Sequence, residues 1–216
     1  MLVAQNIVKK FGDMSVLSNV NLSIEKGHVY TLTGGNGSGK TTLLNIISGF
    51  VLPTKGSLSF KGHNLIGLPP YKINRLGIGR TFQDLRLAMQ MTVKENVMMA
   101  FEKKMFARLS SKQLFKVDEI LERMSLANKA DEPAGEISYG QQKLLTLACL
   151  LANDAELLLI DEPVAGIDQN NFTKITDLIL ELKQLGRTII QIEHHPEYIA
   201  ATSDIILYME KGKIEC

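Results

Sequence analysis

Apolar and polar residues alternate through the first third of the chain, and further on the apolar positions recur every three or four residues. Residues 2–8 alternate, residues 16–24 carry Val16, Val20, Leu22 and Ile24 on a period of two, and Val29–Thr33 is a short apolar run. Three strands are expected there, with Gly12 and Gly27 at the turns. The glycine-rich stretch 34–39 leads into an apolar, helix-length run over 40–48, closed by Gly49 where a helix C-cap would sit. From about Leu85 the chain becomes rich in methionine and charge, and Leu114, Val117, Leu121 and Met124 form one helical face, which reads as a mainly helical insert. Beyond it the pattern predicts a strand over 157–160 and a helix over 172–185 with Phe172, Ile175, Ile179 and Leu182 on one face. A strand over 188–192, a short helix over 196–202 and a strand over 205–209 follow. Strands alternating with helices predict an α/β fold with a mostly parallel sheet covered on both faces.

Charge narrows the function. The 216 residues hold 24 Lys plus Arg against 23 Asp plus Glu, a net +1, and no basic run exceeds two residues (Lys9 and Lys10, Lys103 and Lys104). A surface that reads nucleic acid is therefore not expected. The longest apolar stretch, 144–152 with one threonine inside, falls short of the ~20 residues a membrane span needs, so any link to a membrane is expected through a partner. The N-terminus has its charge after its apolar residues and no small-residue cleavage site, so no signal peptide is read. Cys149 sits in an apolar run and Cys216 is the last residue, which argues against a disulfide framework and for a reducing compartment.

Gly34-Gly35-Asn36-Gly37-Ser38-Gly39-Lys40-Thr41 matches G-x-x-x-x-G-K-[ST] between an expected strand and an expected helix. Backbone N–H groups of such a loop turn toward phosphate oxygens, and the helix N-terminus adds partial positive charge. Lys40 would reach the β and γ phosphates, Thr41 would place its hydroxyl on Mg²⁺, and Thr42 completes the phosphate-facing run. Residues 157–162 read as a buried strand ending in Asp161 and Glu162. Ligands gather at strand C-terminal ends in parallel sheets, so Asp161 can hold the Mg²⁺ shell while Glu162 orients or polarises an attacking water. Asn128-Lys129-Ala130-Asp131 spells the N-K-x-D of guanine-specific GTPases, but it follows an amphipathic helix over 112–126 instead of a strand and reads as a polar helix exit.

Ile137-Ser138-Tyr139-Gly140-Gln141-Gln142 precedes the carboxylate strand. Ser138 and Gln141 suit a capping box opening an apolar helix. Taken with the phosphate loop, the carboxylates and the helical insert, the segment resembles the signature of the ABC transporter nucleotide-binding domain. The resemblance runs from Phe11 to about Ile214. It implies a P-loop NTPase of ABC ATPase type: a mostly parallel core with an N-terminal antiparallel β subdomain (1–84 and 154–216) and a helical subdomain with the signature (about 85–153), all in one domain over 1–216. It implies ATP and Mg²⁺ as cofactors, an adenine stacked on Phe11, and Gln83 touching metal and water while joining the core to the helical subdomain. It also implies His194 as the switch residue facing the γ-phosphate, and a loop with Asp168 that crosses a dimer interface. Without the resemblance, Phe11 would read as a strand-end core residue, and Asp168 as a helix cap, a role compatible with the interface one. His28 and His63 read as surface residues.

The family pattern further implies a head-to-tail dimer, identical or paralogous, in which Ser138, Gly140 and Gln141 of one chain close the ATP held by the other. The segments 68–73, 76–83 and 91–97, with Tyr139, are similar to the ATPase subunits of branched-chain amino-acid importers and their amide or urea relatives. Departures are Gly35 in place of the usual proline, His195 in place of aspartate, a short stretch from 96 to 138, and an early end after Gly212. The expected function is an ATP-hydrolysing motor that powers transmembrane permease subunits from the cytoplasmic face of the membrane. The alternatives are a soluble ABC ATPase acting on nucleic acid or ribosomes, the ATPase of a different transporter such as a lipid exporter, and a regulatory ATP-binding module. Five methionines between Met89 and Met105 read either as fillers of a small helical core or as an adaptable groove for a permease helix.

Overall fold

The computed structural model describes residues 1–101 and 109–215. The Lys103 and Lys104 pair, Met105 and Cys216 lie outside the described residues. The chain begins with β1 (Leu2–Phe11), β2 (Met14–Ile24), β3 (Val29–Thr33), α1 (Lys40–Ile47), β4 (Lys55–Phe60) and β5 (His63–Asn64). It continues through α2 (Pro70–Arg75), β6 (Ile78–Arg80), α3 (Val93–Phe101), α4 (Ser111–Arg123) and α5 (Tyr139–Ala152). It ends with β7 (Leu157–Asp161), α6 (Gln169–Gln184), β8 (Thr188–Ile192), α7 (Pro196–Thr202), β9 (Ile205–Glu210) and β10 (Lys213–Glu215).

Two sheets form. One is antiparallel, in the order β2-β1-β4-β5, and the other has the order β10-β9-β3-β8-β7-β6 with only the β10–β9 pair antiparallel. Successive side chains on a strand point to opposite faces, so a sheet covered on both sides needs unbroken apolar strands. β7 shows the consequence. Leu158 and Ile160 join Val29 and Ile189 in a core with α3, α4, α5 and α6, while Leu157 and Leu159 join Tyr30, Leu32, Ile190 and Ile192 in a second core with α1 and the antiparallel sheet. The expected α/β fold, with a mostly parallel sheet, an antiparallel N-terminal sheet and a helical region, is met.

Several local expectations need correction. In β2 the buried residue is Leu17, fully enclosed, and Val16 is only half-buried. The period of two breaks where Asn19 takes a left-handed conformation (φ 61), between the Ile7–Val20 and Lys9–Leu17 pairs. A second irregularity lies at Asn6 (φ 52), whose N–H donates to Asn21 Oδ1 at 2.9 Å, and the β1–β2 register shifts at both places. The shift at Asn19 moves the inward phase from 20, 22 and 24 to 17. The helix expected over 112–126 is α4, which starts one residue earlier on a Ser110–Gln113 capping box and stops at Arg123. Ser125 (φ 56) breaks it, and Asn128 and Lys129 lie in a separate 3-10 turn, Ala127–Lys129. The surface reading of the two histidines stands: the His28 side chain is 45% exposed, edge-on to Tyr30 at 6.3 Å and 3.9 Å from the Asp204 carboxylate, and His63 is exposed.

Candidate nucleotide-binding site

In the parallel sheet Leu32 of β3 pairs with Ile192 of β8, which pairs with Asp161 of β7, and β6 lies beyond β7. The segments leaving those strands therefore emerge along one edge: 34–39 from β3, His194 from β8, Glu162 from β7 and Gln83 from β6. This is the edge where parallel sheets hold ligands.

Residues 34–39 bend tightly over β9. A Cβ on Gly34, whose φ is 136, would lie 2.0 Å from the Met209 carbonyl oxygen, so only glycine fits. No side chain caps α1, in contrast to α4, α5 and α6, so the first N–H groups of α1 keep no intrahelical partner. Lys40 is 7% exposed, and its Nζ donates to the carbonyls of Gly34 at 2.8 Å and Gly35 at 3.0 Å. Burial lowers its pKa, and the Glu162 and Asp161 carboxylates act to raise it. At Gly35, by contrast, φ is ordinary and a Cβ would meet nothing within 4 Å, so the spot does not demand glycine.

An open cavity of about 650 Å³ is lined by Asn36, Gly37, Ser38, Gly39, Lys40, Thr41 and Thr42, together with Phe11, Gln83 and Glu162. Phe11 is 47% exposed at the end of β1, with the Lys9 ammonium 4.5 Å from its ring centre. It is not a core residue, and a flat ring stands free to stack. Glu162 sits in the left-handed region (φ 48) directly after β7, and the Gln83 amide donates to Glu162 Oε2 at 3.0 Å. A residue with a Cβ is held in that conformation only where its surroundings determine it. Behind Glu162, Asp161 is 5% exposed and 3.7 Å from the Arg80 guanidinium. Burial pushes the Asp161 carboxyl up, with Arg80 opposing, and burial likewise lowers Arg80 to about 10.

The structure does not bring every expected residue to this cavity. Ser138, Gly140 and Gln141 open α5 outside it, with the capping box formed: Ser138 Oγ accepts from Gln141 N–H at 3.3 Å, and Gln141 Oε1 accepts from Ser138 N–H at 2.9 Å. Asp168 caps α6, accepting from the Asn171 N–H at 3.0 Å. The Asn171 N–H holds its carboxyl below the ordinary value. His194 is exposed past the end of β8 and is not among the lining residues. Of the methionines after Gln83, Met98 packs on the core while Met89 and Met99 are 40% and 49% exposed.

Three charged residues near the site escaped the sequence reading. Arg80 pairs with Asp161. Lys143 on α5 donates to the carbonyl oxygens of Glu162 and Ala165. Glu193, 3% exposed, accepts from the N–H groups of Val164, His194 and His195. Lys143 follows Gln141 and Gln142 and precedes the apolar run 144–152, so nothing in the local pattern marks it as buried.

Among the described residues no three His, Cys, Asp or Glu side chains group to hold a metal. A cation here would be held by few protein oxygens. The donor set, a threonine hydroxyl on the cavity wall, a glutamine amide and a buried carboxylate, is all hard oxygen and fits Mg²⁺, which binds through one or two protein groups plus nucleotide phosphates.

The family model described as ABC transporter matches residues 17–165. The chain is 35% identical to the Archaeoglobus fulgidus protein "Probable branched-chain amino acid transport ATP-binding protein LivG", over 99% of this chain and 87% of that protein. It is 33% identical to the high-affinity branched-chain amino acid transport ATP-binding protein LivG of Escherichia coli K12, over 98% of this chain and 89% of that one. Among solved structures, a dimeric ATP-binding cassette in a post-hydrolysis state with ADP and Pi superposes with a TM-score of 0.90 at 28% identity, covering 100% of this chain and 97% of the other.

Proposed function

This chain belongs to the ABC transporter family as an ATP-binding, ATP-hydrolysing subunit, and we propose that it powers the import of a branched-chain amino acid or a related small polar solute through permease subunits on other chains. The cargo reading rests on what its relatives are named for. Among the described residues no helix is long and apolar enough to cross a membrane, which supports a peripheral subunit held at the cytoplasmic face by its permease. Met89 and Met99, both exposed in the stretch that follows Gln83 in sequence, are the residues we assign to the permease contact.

One observation carries the mechanism: the cavity that joins the phosphate loop to Phe11, Gln83 and Glu162. On this reading ATP stacks its adenine on Phe11 and lays its phosphates along 34–42. Lys40 leaves the loop carbonyls to neutralise the β and γ phosphates. Thr41, Gln83 and Asp161 would hold Mg²⁺, which supplies charge neutralisation on the phosphate oxygens. Glu162 orients the water that attacks the γ-phosphorus and accepts its proton as the bond to ADP breaks, with Gln83 fixing the carboxylate. His194 meets the γ-phosphate from the neighbouring strand end.

We assign residues 1–84 and 154–216 to the catalytic core with its β subdomain, and 85–153 to the helical subdomain. We assign Ser138, Gly140, Gln141 and Asp168 to a head-to-tail dimer interface, because they lie outside their own chain's cavity. Glu162→Gln tests the mechanism. It should keep ATP affinity but lower turnover by about 10²-fold or more, since the phosphate cradle remains while water activation is lost. Equal turnover by the variant, in a preparation free of contaminating ATPase, would remove Glu162 from this role. Copurification of the permease from native membranes, followed by reconstituted uptake, tests the cargo.

A further inference from the structure

Lys143 is a buried cation that no nucleotide contact explains. It is 7% exposed on α5, one turn beyond the capping box of Ser138 and Gln141. Its Nζ donates at 2.7 Å to the Glu162 carbonyl and at 2.7 Å to the Ala165 carbonyl, the two ends of the turn that follows β7. The opposite side of that turn is held by Glu193, whose Oε1 accepts from the Val164 N–H at 3.1 Å. Glu193 Oε2 meanwhile accepts from His194 N–H at 2.7 Å and His195 N–H at 3.1 Å. Desolvating an ammonium is costly, and a methionine would fill the same space without that cost, so what a lysine adds here is its donors. Burial lowers the Lys143 pKa, while the carboxylates of Glu193, Glu162 and Asp161 favour its charged form.

The turn needs such support. Glu162 holds a left-handed backbone (φ 48), a conformation that persists only when neighbours impose it. Resting on the ATPase reading above, we propose that Lys143 is a positioning residue. Its two hydrogen bonds fix the turn that carries Glu162 and join it to the signature helix, so that Glu162 and residues 138–141 move as one body. Gly140 strengthens the junction. It packs so closely on α6 that a Cβ there would lie 2.4 Å from Asn171 Nδ2 and 3.5 Å from Asp168 Oδ2. The phosphate loop hangs on β3 and α1 and does not depend on Lys143.

The test compares Lys143→Met with Lys143→Arg, which keeps donors for both carbonyls. The methionine variant should lower kcat by about 10- to 100-fold, the scale on which small misplacements of a catalytic group act, with the Kd for ATP within about threefold of wild type. Lys143→Arg should recover most of that kcat. A core truncation on α6, Ile179→Val, serves as the stability control. Amide exchange at Val164 and Ala165, measured on ATP-free protein, should be at least about tenfold faster in Lys143→Met than in wild type or Lys143→Arg. Unchanged exchange overturns the proposal, whatever the turnover of the wild type, which tests the ATPase reading separately. A wild-type kcat in Lys143→Met, a parallel loss of ATP affinity, or an arginine variant as slow as the methionine one also overturns it. Lys143→Gln, which keeps the length of only part of the side chain and one donor group, carries the same test if the methionine variant does not fold.

Discussion

Phe11 and Glu162 reach the same cavity from the ends of strands in different sheets, and each is odd for its surroundings: one is an exposed aromatic, the other a left-handed glutamate. The Phe11 ring offers a face to any base, so discrimination between ATP and GTP should be modest. Phe11→Ala should weaken nucleotide binding by about 1 to 3 kcal/mol, the range for a base stacked on an aromatic side chain. Equilibrium titration with a fluorescent ATP analogue checks this, and an untouched affinity would leave Phe11 without a role at the base. Glu162 was legible because it ends an apolar strand run, whereas Phe11 and Gln83 were marked only by the family resemblance. Lys143, Arg80 and Glu193 were not legible, because a buried charge shows itself only through the backbone groups it meets in three dimensions. His194 stands between the two cases: its place after β8 was legible, yet its side chain stays outside the cavity.

At the scale of elements, β8 and α7 have the bounds that their patterns predict, and β7 extends one residue further, to Asp161. β7 is buried on both faces and writes an unbroken apolar run over 157–160, β8 keeps Ile189, Ile190 and Ile192 around a buried Gln191, and a proline at the first position opens α7. β4, β5, β6 and β10 were missed for the complementary reason. β6 is three residues with a glycine in the middle, and β4 places only Leu58 and Phe60 inward, too few to show a period. The junction of α5 with α6 makes a prediction. Gly140→Ala forces Asn171 to shift while its side chain is held by Asp168, so the variant should lose about 1 to 3 kcal/mol of stability, read as a lower Tm. A Tm equal to wild type would show that the contact yields freely. The Asp168 cap is pH-dependent. Its carboxyl is held below the ordinary value by the Asn171 N–H, so its contribution is complete above the unfolded pKa of about 3.9 and is lost as pH falls through the lower folded value. Exchange of the Asn171 amide should therefore accelerate below about pH 4 in wild type but not in Asp168→Asn, whose cap does not titrate.

At the scale of the whole molecule, the phosphate loop and Glu162 share one cavity and the signature segment lies outside it. That separation was not legible in local pattern, because it depends on where the helical region packs against the sheet. A trans arrangement in a head-to-tail dimer is the central claim, and mixing two inactive variants tests it most directly. Lys40→Ala disables a chain's own phosphate loop, and Ser138→Arg disables only the signature it lends. Each variant homodimer then holds two dead sites, whereas the heterodimer holds one site with both defects and one with neither. Hydrolysis should reappear on mixing and rise with protein concentration as a dimerisation equilibrium demands. No recovery, under conditions where a dimer with one deliberately broken site is shown to turn over, would contradict the shared site and return both residues to a single chain.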